Sequence, residues 1–321
     1  MQHLYTLLFF LLSFIFVKAS PDYQMAEASA VVPVQIRNKL ILVEGKINNQ
    51  AGYFLFDTGA SELILNEARF PRHEHHHSVP YFADATGHVA AHGYTYISTF
   101  NWGGLHREGF FAPLLDLLAL ESNLGEQLLG IIGYDVLQHV DLELDYYQGT
   151  ISLFRPGAVV PYPEFRVAPD YTFDFEMDRH LPVLKAAVGN ADGLLLAIDS
   201  GSSVNICDSR LKGKLKKKAL QKRTIGLQGA VGILQQSPFY VMEALRIENT
   251  YSIAYCRVAL SNLKKLKDHG IRIDGLLGIN FFRLGRVFFS YHTQRIMVWL
   301  GQNEYTLRHS SLQPLPEMSA K

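Results

Sequence analysis

Phe54-Leu55-Phe56-Asp57-Thr58-Gly59-Ala60-Ser61 is an apolar strand pattern that runs directly into a tight turn. Leu196-Ala197-Ile198-Asp199-Ser200-Gly201-Ser202-Ser203 repeats that pattern, at an offset of 199 − 57 = 142 residues. A further strand and turn are predicted before each copy, with the strands over 40–47 and 181–188. The same order of strand, turn, strand and Asp-Thr/Ser-Gly loop therefore occurs twice.

A second landmark repeats at nearly the same distance. Gly130-Ile131-Ile132-Gly133 follows the first loop and Gly275-Leu276-Leu277-Gly278 follows the second, at an offset of 275 − 130 = 145 residues. Two ordered landmarks with matching offsets indicate a tandem duplication of one β-rich unit. We therefore predict an all-β chain with a few short helices, for which the candidates are 114–120, 133–139, 208–220, 260–269 and 279–284.

Composition and charge limit the possible functions. Hydrophobic residues make up 48% and charged residues 19% of the 321 residues, which is typical of a globular protein. The formal net charge is zero, which argues against a dedicated nucleic-acid binder. The part up to Val160 has 8 basic and 16 acidic residues and the remainder has 22 and 14, so the two halves carry opposite charge. Such halves attract each other if they face one another across a cleft.

The first residues resemble a targeting segment. Leu4 to Val17 is almost continuously apolar, is too short for a typical membrane span, and precedes the small-x-small site Val17-Lys18-Ala19. We predict a signal peptide over 1–19, with an uncleaved anchor as the alternative, although this segment has no Lys or Arg before Lys18. The mature protein is then exported, to the periplasm or outside the cell, with no stable membrane insertion.

The duplication also predicts the domain boundaries. We expect an N-terminal lobe over 20–155, a C-terminal lobe over 170–301 and a tail over 302–321. Proline density over 156–169 is typical of a semi-rigid linker. The lobes are predicted to be pseudo-symmetric and β-barrel-like.

The duplicated loop has a defined chemical capacity. If the lobes pair about a pseudo-twofold axis, Asp57 and Asp199 lie within hydrogen-bonding distance and share one proton. Thr58 and Ser200 can then hydrogen-bond across to the opposite loop, and Gly59 and Gly201 let backbone amides approach the carboxylates. The ionised aspartate takes a proton from water while the protonated one polarises a carbonyl, so neither a metal nor an organic cofactor is required.

These motifs resemble those of aspartic peptidases of the pepsin and retropepsin clan, and are most similar to retropepsin-like exported bacterial proteins with both lobes in one chain. The resemblance covers residues 34–300. It implies an acid-protease fold and an exported aspartic endopeptidase with a polypeptide substrate. It also implies a flap hairpin over the cleft, over 81–96 with Thr86 and Gly87 as substrate-binding residues, and a counterpart over 224–234. Neither hairpin has a tyrosine that aligns with the pepsin-type flap tyrosine, and the lobes lack the disulfides common in pepsin-like enzymes.

Other functions remain open at this stage. The two aspartates are alternatively turn residues, or belong to an inactive peptide-binding or scaffold protein that keeps the fold. Because both halves are present in one chain, a homodimer of half-sized units is disfavoured and a monomer is expected.

Three further clusters have both structural and functional interpretations. His73, His75, His76 and His77 around Glu74 are interpreted as a solvated loop rather than a metal site or a pH-responsive loop. Cys207 and Cys256 either pair or remain buried thiols. Asp141, Glu143 and Asp145 alternate with leucines, which predicts the outer face of a half-buried strand.

Overall fold

The computed structural model describes residues 22–73, 93–157, 167–229 and 234–301, and the backbone of 82–83 and 89–90. These residues are mostly strands in barrel-like sheets, so the prediction of an all-β chain with a few short helices is confirmed. The predicted signal peptide, much of the linker and the C-terminal tail lie outside the described residues. Within the described part, no helix has the length and apolar character needed to cross a bilayer.

The first half of the chain contains twelve of the strands described, and two α-helices. The strands are β1 (Gln24–Met25), β2 (Ser29–Arg37), β3 (Leu40–Ile47), β4 (Gln50–Phe56), β5 (Ile64–Asn66), β6 (Phe82–Ala83), β7 (Val89–Ala90), β8 (Tyr94–Trp102), β9 (Leu105–Leu115), β10 (Leu128–Ile132), β11 (Asp141–Asp145) and β12 (Thr150–Phe154). The helices are α1 (Leu118–Leu124) and α2 (Tyr134–Leu137).

The second half of the chain contains the other thirteen strands described, two α-helices and two 3₁₀ turns. The strands are β13 (Tyr171–Asp174), β14 (Glu176–Asp178), β15 (Leu181–Val188), β16 (Ala191–Ile198), β17 (Asn205–Asp208), β18 (Ala219–Gln228), β19 (Leu234–Met242), β20 (Ala244–Ile247), β21 (Tyr251–Ala254), β22 (Arg257–Ser261), β23 (Gly275–Leu277), β24 (Gly285–Ser290) and β25 (Arg295–Leu300). The helices are α3 (Lys212–Lys218) and α4 (Lys264–Asp268), with 3₁₀ turns at Ser209–Leu211 and Phe282–Leu284.

The strands of the first half close on themselves. In hydrogen-bonded order, β9, β5, β10, β4, β3 and β8 form a ring, because β8 pairs with both β3 and β9. Large aromatic side chains fill its interior, including Phe54, Phe56, Phe100 and Trp102, all of which are buried. The second half has a ten-stranded sheet in which β17, β23, β16 and β15 are adjacent, as β5, β10, β4 and β3 are in the first half.

One sheet joins the two halves. Its strands β2, β12, β11, β24, β25 and β13 are neighbours in that order, which places three strands from each half in mirrored sequence. At its centre β11 and β24 are antiparallel, with Glu143 opposite Phe288. Their separation, 288 − 143 = 145, equals the offset of the repeat. Strands at equivalent positions of the two repeats therefore pair with each other at this join.

Two expectations from the sequence are corrected at this level. The helix predicted over 114–120 begins only at Leu118, because Leu114 and Leu115 extend β9 and pair in parallel with β5. Asp141 and Glu143 are buried rather than on an outer face, since β11 lies between β12 and β24 at the join. Arg286 pairs with Glu143 at 3.4 Å, and the Gly157 amide donates to Asp141 Oδ2 at 3.0 Å.

Candidate active site

The two aspartates lie at equivalent positions in the two repeats. Asp57 follows β4, and its amide donates to Ile132 O on β10 at 3.1 Å. Asp199 follows β16, and its amide donates to Leu277 O on β23 at 3.0 Å. In both repeats the strand that carries the aspartate is parallel to the strand of the Gly-x-x-Gly segment. Each aspartate is therefore held by a buried two-strand ladder rather than by a mobile loop.

Both Gly-x-x-Gly segments are close to the loop that they support. A Cβ at Gly130 or Gly275 would lie 2.1 Å from a backbone oxygen of the neighbouring strand. A Cβ at Gly133 or Gly278 would lie 2.5 Å from a carbonyl of the segment that follows the aspartate. Such distances leave no room for a side chain, so the glycines are required by packing.

The carboxyl groups of Asp57 and Asp199 hydrogen-bond to each other. In each loop, the amide of the glycine two residues after the aspartate donates to the Oδ1 atom of that aspartate. The Gly59 amide lies 2.8 Å from Asp57 Oδ1, and the Gly201 amide lies 2.9 Å from Asp199 Oδ1. The glycines also permit the close approach, because a Cβ at Gly201 would lie 2.4 Å from Asp57 Cγ and one at Gly59 would lie 2.7 Å from Asp199 Oδ1.

The electrostatics of the pair favour one retained proton. Burial raises the pKa of Asp57, against the opposing effect of hydrogen bonds from the Gly59 amide and the Asp199 carboxyl. Burial, the negative charge of Asp57 and the hydrogen bond between them raise the pKa of Asp199 well above its usual range. Two carboxyl groups this close do not both ionise readily, so the aspartate pair titrates as a unit that retains one proton.

The residues directly after the aspartates connect the two loops by hydrogen bonds. Thr58 and Ser200 are completely buried, and their amides and hydroxyls form hydrogen bonds between the two repeats. The Thr58 hydroxyl donates to Ile198 O and the Ser200 hydroxyl donates to Phe56 O, each at 2.9 Å. The predicted supporting residues are thus brought together with the aspartates.

A cleft of about 490 Å³ opens above the aspartate pair. Its walls carry apolar side chains from both halves, several of them at equivalent positions of the repeat. These include Leu40 with Leu181, Ile64 with Ile206, and Ile131 with Leu276. An extended chain with apolar side chains would therefore find similar walls on either side of the two carboxyl groups.

The predicted flap is only partly within the described residues. β6 and β7 pair as an antiparallel hairpin, with Phe82 opposite Ala90. Thr86 and Gly87 lie between these strands, outside the described residues. The counterpart predicted over 224–234 belongs to the β18–β19 hairpin, whose Leu227, Gln228 and Gly229 line the cleft.

The structure adds residues that were not predicted from the sequence. His180 lines the cleft, and its Nε2 hydrogen-bonds the Gly59 carbonyl at 3.1 Å. Burial lowers the pKa of His180, which makes the neutral ring with a proton on Nε2 the donor at neutral pH. Its neighbour Arg179 also lines the cleft. The turn 179–180 corresponds to 38–39 in the first repeat, but nothing in the sequence shows that it faces the aspartates.

A buried polar group also lies behind the pair. The Tyr291 hydroxyl is buried without a hydrogen-bond partner among the described residues. Burial and the negative charge of Asp57 raise the pKa of Tyr291 well above its usual range, so the phenol stays protonated.

The remaining clusters have simpler roles. Cys207 and Cys256 are buried free thiols, and burial raises both pKa values. Within the ranges described, no three His, Cys, Asp or Glu side chains are grouped so that they could share a metal ion. Of the histidine cluster only His73 is described.

Comparisons with known proteins add no assignment. A scan against protein-family models and a search of curated proteins each found no match.

Proposed function

We propose that the protein is an exported aspartic endopeptidase with two acid-protease lobes in one polypeptide, which acts as a monomer on polypeptide substrates. The observation that carries the proposal is the hydrogen-bonded pair Asp57 and Asp199 at the base of an apolar cleft. A pair of turn residues would not need to meet across 142 residues or to share a proton.

The chemistry follows from the protonation of the pair. Asp57, ionised, takes a proton from a water molecule as the water oxygen attacks the scissile carbonyl carbon. Asp199 gives its proton to the carbonyl oxygen, which forms a neutral diol. The C–N bond then breaks as Asp57 returns its proton to the amide nitrogen and one diol hydroxyl returns a proton to Asp199. The cycle regenerates both residues and needs no cofactor.

The supporting contacts account for the fixed positions of the two carboxyl groups. Amide donors from Gly59 and Gly201 stabilise the negative charge, and the Thr58–Ser200 contacts hold the two loops at one separation. Fixed donors of this kind cost no reorganisation when charge develops in the transition state.

Peptide cleavage tests the proposal directly. Mature protein from residue 20 is incubated with a mixed peptide library between pH 3 and 7, and new termini are identified by mass spectrometry. We expect internal cleavage by the wild type and none by Asp57→Asn or Asp199→Asn, because Asn cannot take or give the proton. Asp192→Asn is the matched control, since Asp192 is exposed and, among the described residues, accepts a hydrogen bond only from its neighbour Gly193.

A peptide with a statine unit at the scissile position, which mimics the tetrahedral diol, should inhibit the wild type. Folded wild-type protein that binds peptides without cleaving them at any pH would instead identify a peptide-binding protein. Cleavage that survives in either single Asn variant would exclude the two-aspartate mechanism.

A further inference from the structure

The two ends of the cleft differ in charge, although the fold that builds them is repeated. Arg179 and His269 line one end, and both belong to the second half. The repeat places Asn38 and Leu124 at the corresponding positions of the first half, because 179 − 38 = 141 and 269 − 124 = 145. Among the described residues, no charged side chain lines the cleft at these positions of the first half, and the Asn38 side chain hydrogen-bonds Asn123. Among the described residues, the apolar walls of the cleft are therefore similar in the two halves, whereas the Arg179 cation is present in the second half alone.

The Arg179 guanidinium lies against Gly270 and has no ion-pair partner in the part of the chain that the structure describes. Its Nη2 lies over Gly270, where a Cβ would be only 2.6 Å away. Gly270 has a φ of +82° and follows His269 directly, so the glycine leaves space for the guanidinium beside that residue. Arg179 itself makes no hydrogen bond or ion pair with the residues that the structure describes.

Within the described ranges, no side chain of the cleft pairs with this cation. Asp57 and Asp199 are the only carboxyl groups among the described residues that line the cleft. Asp178, adjacent in sequence, lines a separate groove and accepts a hydrogen bond from the Arg272 amide. His180 is held neutral by burial, and its Nε2–H donates to the Gly59 carbonyl, so His180 adds no charge beside Arg179.

A polypeptide that fills the cleft would cover Arg179 and remove part of its water. An unpaired charge is costly to desolvate, whereas a carboxylate can accept two parallel hydrogen bonds from a guanidinium. We propose that this end of the cleft binds a carboxylate of the polypeptide substrate, either an acidic side chain or the C-terminal carboxylate. The proposal rests on the proposed function, which it deepens by assigning a substrate preference.

Matched peptides test the preference by cleavage. Pairs that differ only by Glu or Gln are compared at each of the four positions on either side of the scissile bond, and one Gln peptide is made with a free or an amidated C-terminus. We expect kcat/KM to favour the carboxylate at one position by about tenfold, the scale of one charge-assisted hydrogen-bonded contact. The position that responds distinguishes a side chain from the C-terminus.

Two variants separate the Arg179 contact from a general effect of charge. Arg179→Gln should abolish the preference, and Arg179→Glu should reverse it in favour of Lys over Gln at the same position. Lys39→Gln is the control, because Lys39 is an exposed cation at the corresponding turn of the first repeat and does not line the cleft. An unchanged preference in Arg179→Glu would overturn the proposal.

A binding measurement tests the carboxylate site without requiring any catalysis. The Asp199→Asn variant, with and without Arg179→Glu, is titrated with the same labelled peptides by fluorescence polarisation. Tighter binding of the Glu peptide that inverts with Arg179→Glu supports the carboxylate site even if no peptide is cleaved. Cleavage without any Glu or C-terminal preference would overturn the site and leave the peptidase proposal standing.

Discussion

Thr58 and Ser200 stand 142 residues apart and exchange hydrogen bonds, since each backbone amide donates to the hydroxyl oxygen of the other residue at 3.0 Å. Each hydroxyl also donates to a carbonyl of the strand that leads into the opposite aspartate. Four buried hydrogen bonds thus connect the repeats immediately beneath the aspartate pair. They link the position of one carboxyl group to that of the other.

Removal of either hydroxyl should therefore affect both stability and activity. Thr58→Val leaves the Ser200 amide without its acceptor, and Ser200→Ala does the same to Thr58. We expect each variant to lose about 1 to 3 kcal/mol of unfolding free energy in urea titrations, and to lose peptidase activity. The double variant should lose less than the sum of the two, because the side chains belong to one network.

Thr172→Val is the matched control, since Thr172 is an exposed strand residue. Equal losses in Thr172→Val and Thr58→Val, or additive losses in the double variant, would show that the cross-repeat contacts have no special role.

The repeat in the sequence was sufficient to predict this meeting of the loops. Two copies of one strand-loop unit have apolar faces that pack in the same way, so their equivalent residues are expected at a common axis. The contacts that differ between the copies were not predictable in this way. Asp141 and Glu143 alternate with leucines as on an exposed strand, yet β24 covers them from 145 residues away.

The same limit applies to the cleft. A turn such as 179–180 has the composition of polar surface, and its closeness to Gly59 depends on the packing of the two halves. The helix predicted over 114–120 failed for a related reason, since the parallel partner of Leu114 on β5 lies outside any local window.

Gly201→Ala should separate the two carboxyl groups. Its Cβ would lie 2.4 Å from Asp57 Cγ, so the side chain or the loop must move. We expect peptidase activity to fall by about 100-fold or more, the scale of an ångström-sized misplacement of reacting groups. The rate is measured on the best peptide found in the library.

Gly213→Ala is the control for this substitution, because Gly213 lies in a helix and a Cβ there would have open space, with no described atom from outside its own helix turn within 4 Å. There we expect unchanged activity and a gain of about 0.5 to 1 kcal/mol. Full activity of Gly201→Ala would contradict the need for close contact between the carboxyl groups.

Activity should be limited to the pH range in which the pair holds one proton. Because the pKa of Asp199 is raised well above its usual range, the active form should persist beyond pH 4 and disappear once both groups ionise. In acid, protonation of Asp57 removes the base. A profile of kcat/KM from pH 2.5 to 8 should be bell-shaped, and a rate that still rises at pH 8 would exclude the mechanism.

Export should leave a defined N-terminus. Val17-Lys18-Ala19 is a small-x-small site, so material secreted by the native host should begin at Ser20 or Pro21. N-terminal sequencing or intact-mass measurement checks this. Met1 on the mature protein would favour an uncleaved anchor.

Asp135 should make the first repeat less stable as pH rises. Its Oδ1 accepts from the Leu63 amide at 2.6 Å and its Oδ2 from the Tyr23 hydroxyl at 3.3 Å, which braces the segment after the Asp57 loop. Burial raises the pKa of Asp135 to about 7. The hydrogen bond from the Leu63 amide opposes this rise, and the charge of Glu62 adds to it. The residue at the corresponding position of the second repeat is Asn280, since 280 − 135 = 145.

The sign follows from proton binding. Between the ordinary pKa of 3.8 and the folded value of about 7, the folded state keeps a proton that the unfolded chain has released. Stability therefore falls as pH rises through this window, by up to about 1.4 kcal/mol per pH unit, and the effect levels off above pH 7. The aspartate pair contributes in the same direction, so the wild type alone does not isolate Asp135.

Asp135→Asn isolates it, because the amide resembles the protonated carboxyl and does not titrate. The difference in unfolding free energy between Asp135→Asn and the wild type should grow in favour of the variant from pH 4 to 7 and then stay constant. Urea titrations at five pH values measure this difference, in which the contribution of the aspartate pair cancels. Parallel stability curves across the window would show that Asp135 is already ionised in the folded protein and that its burial does not retain the proton.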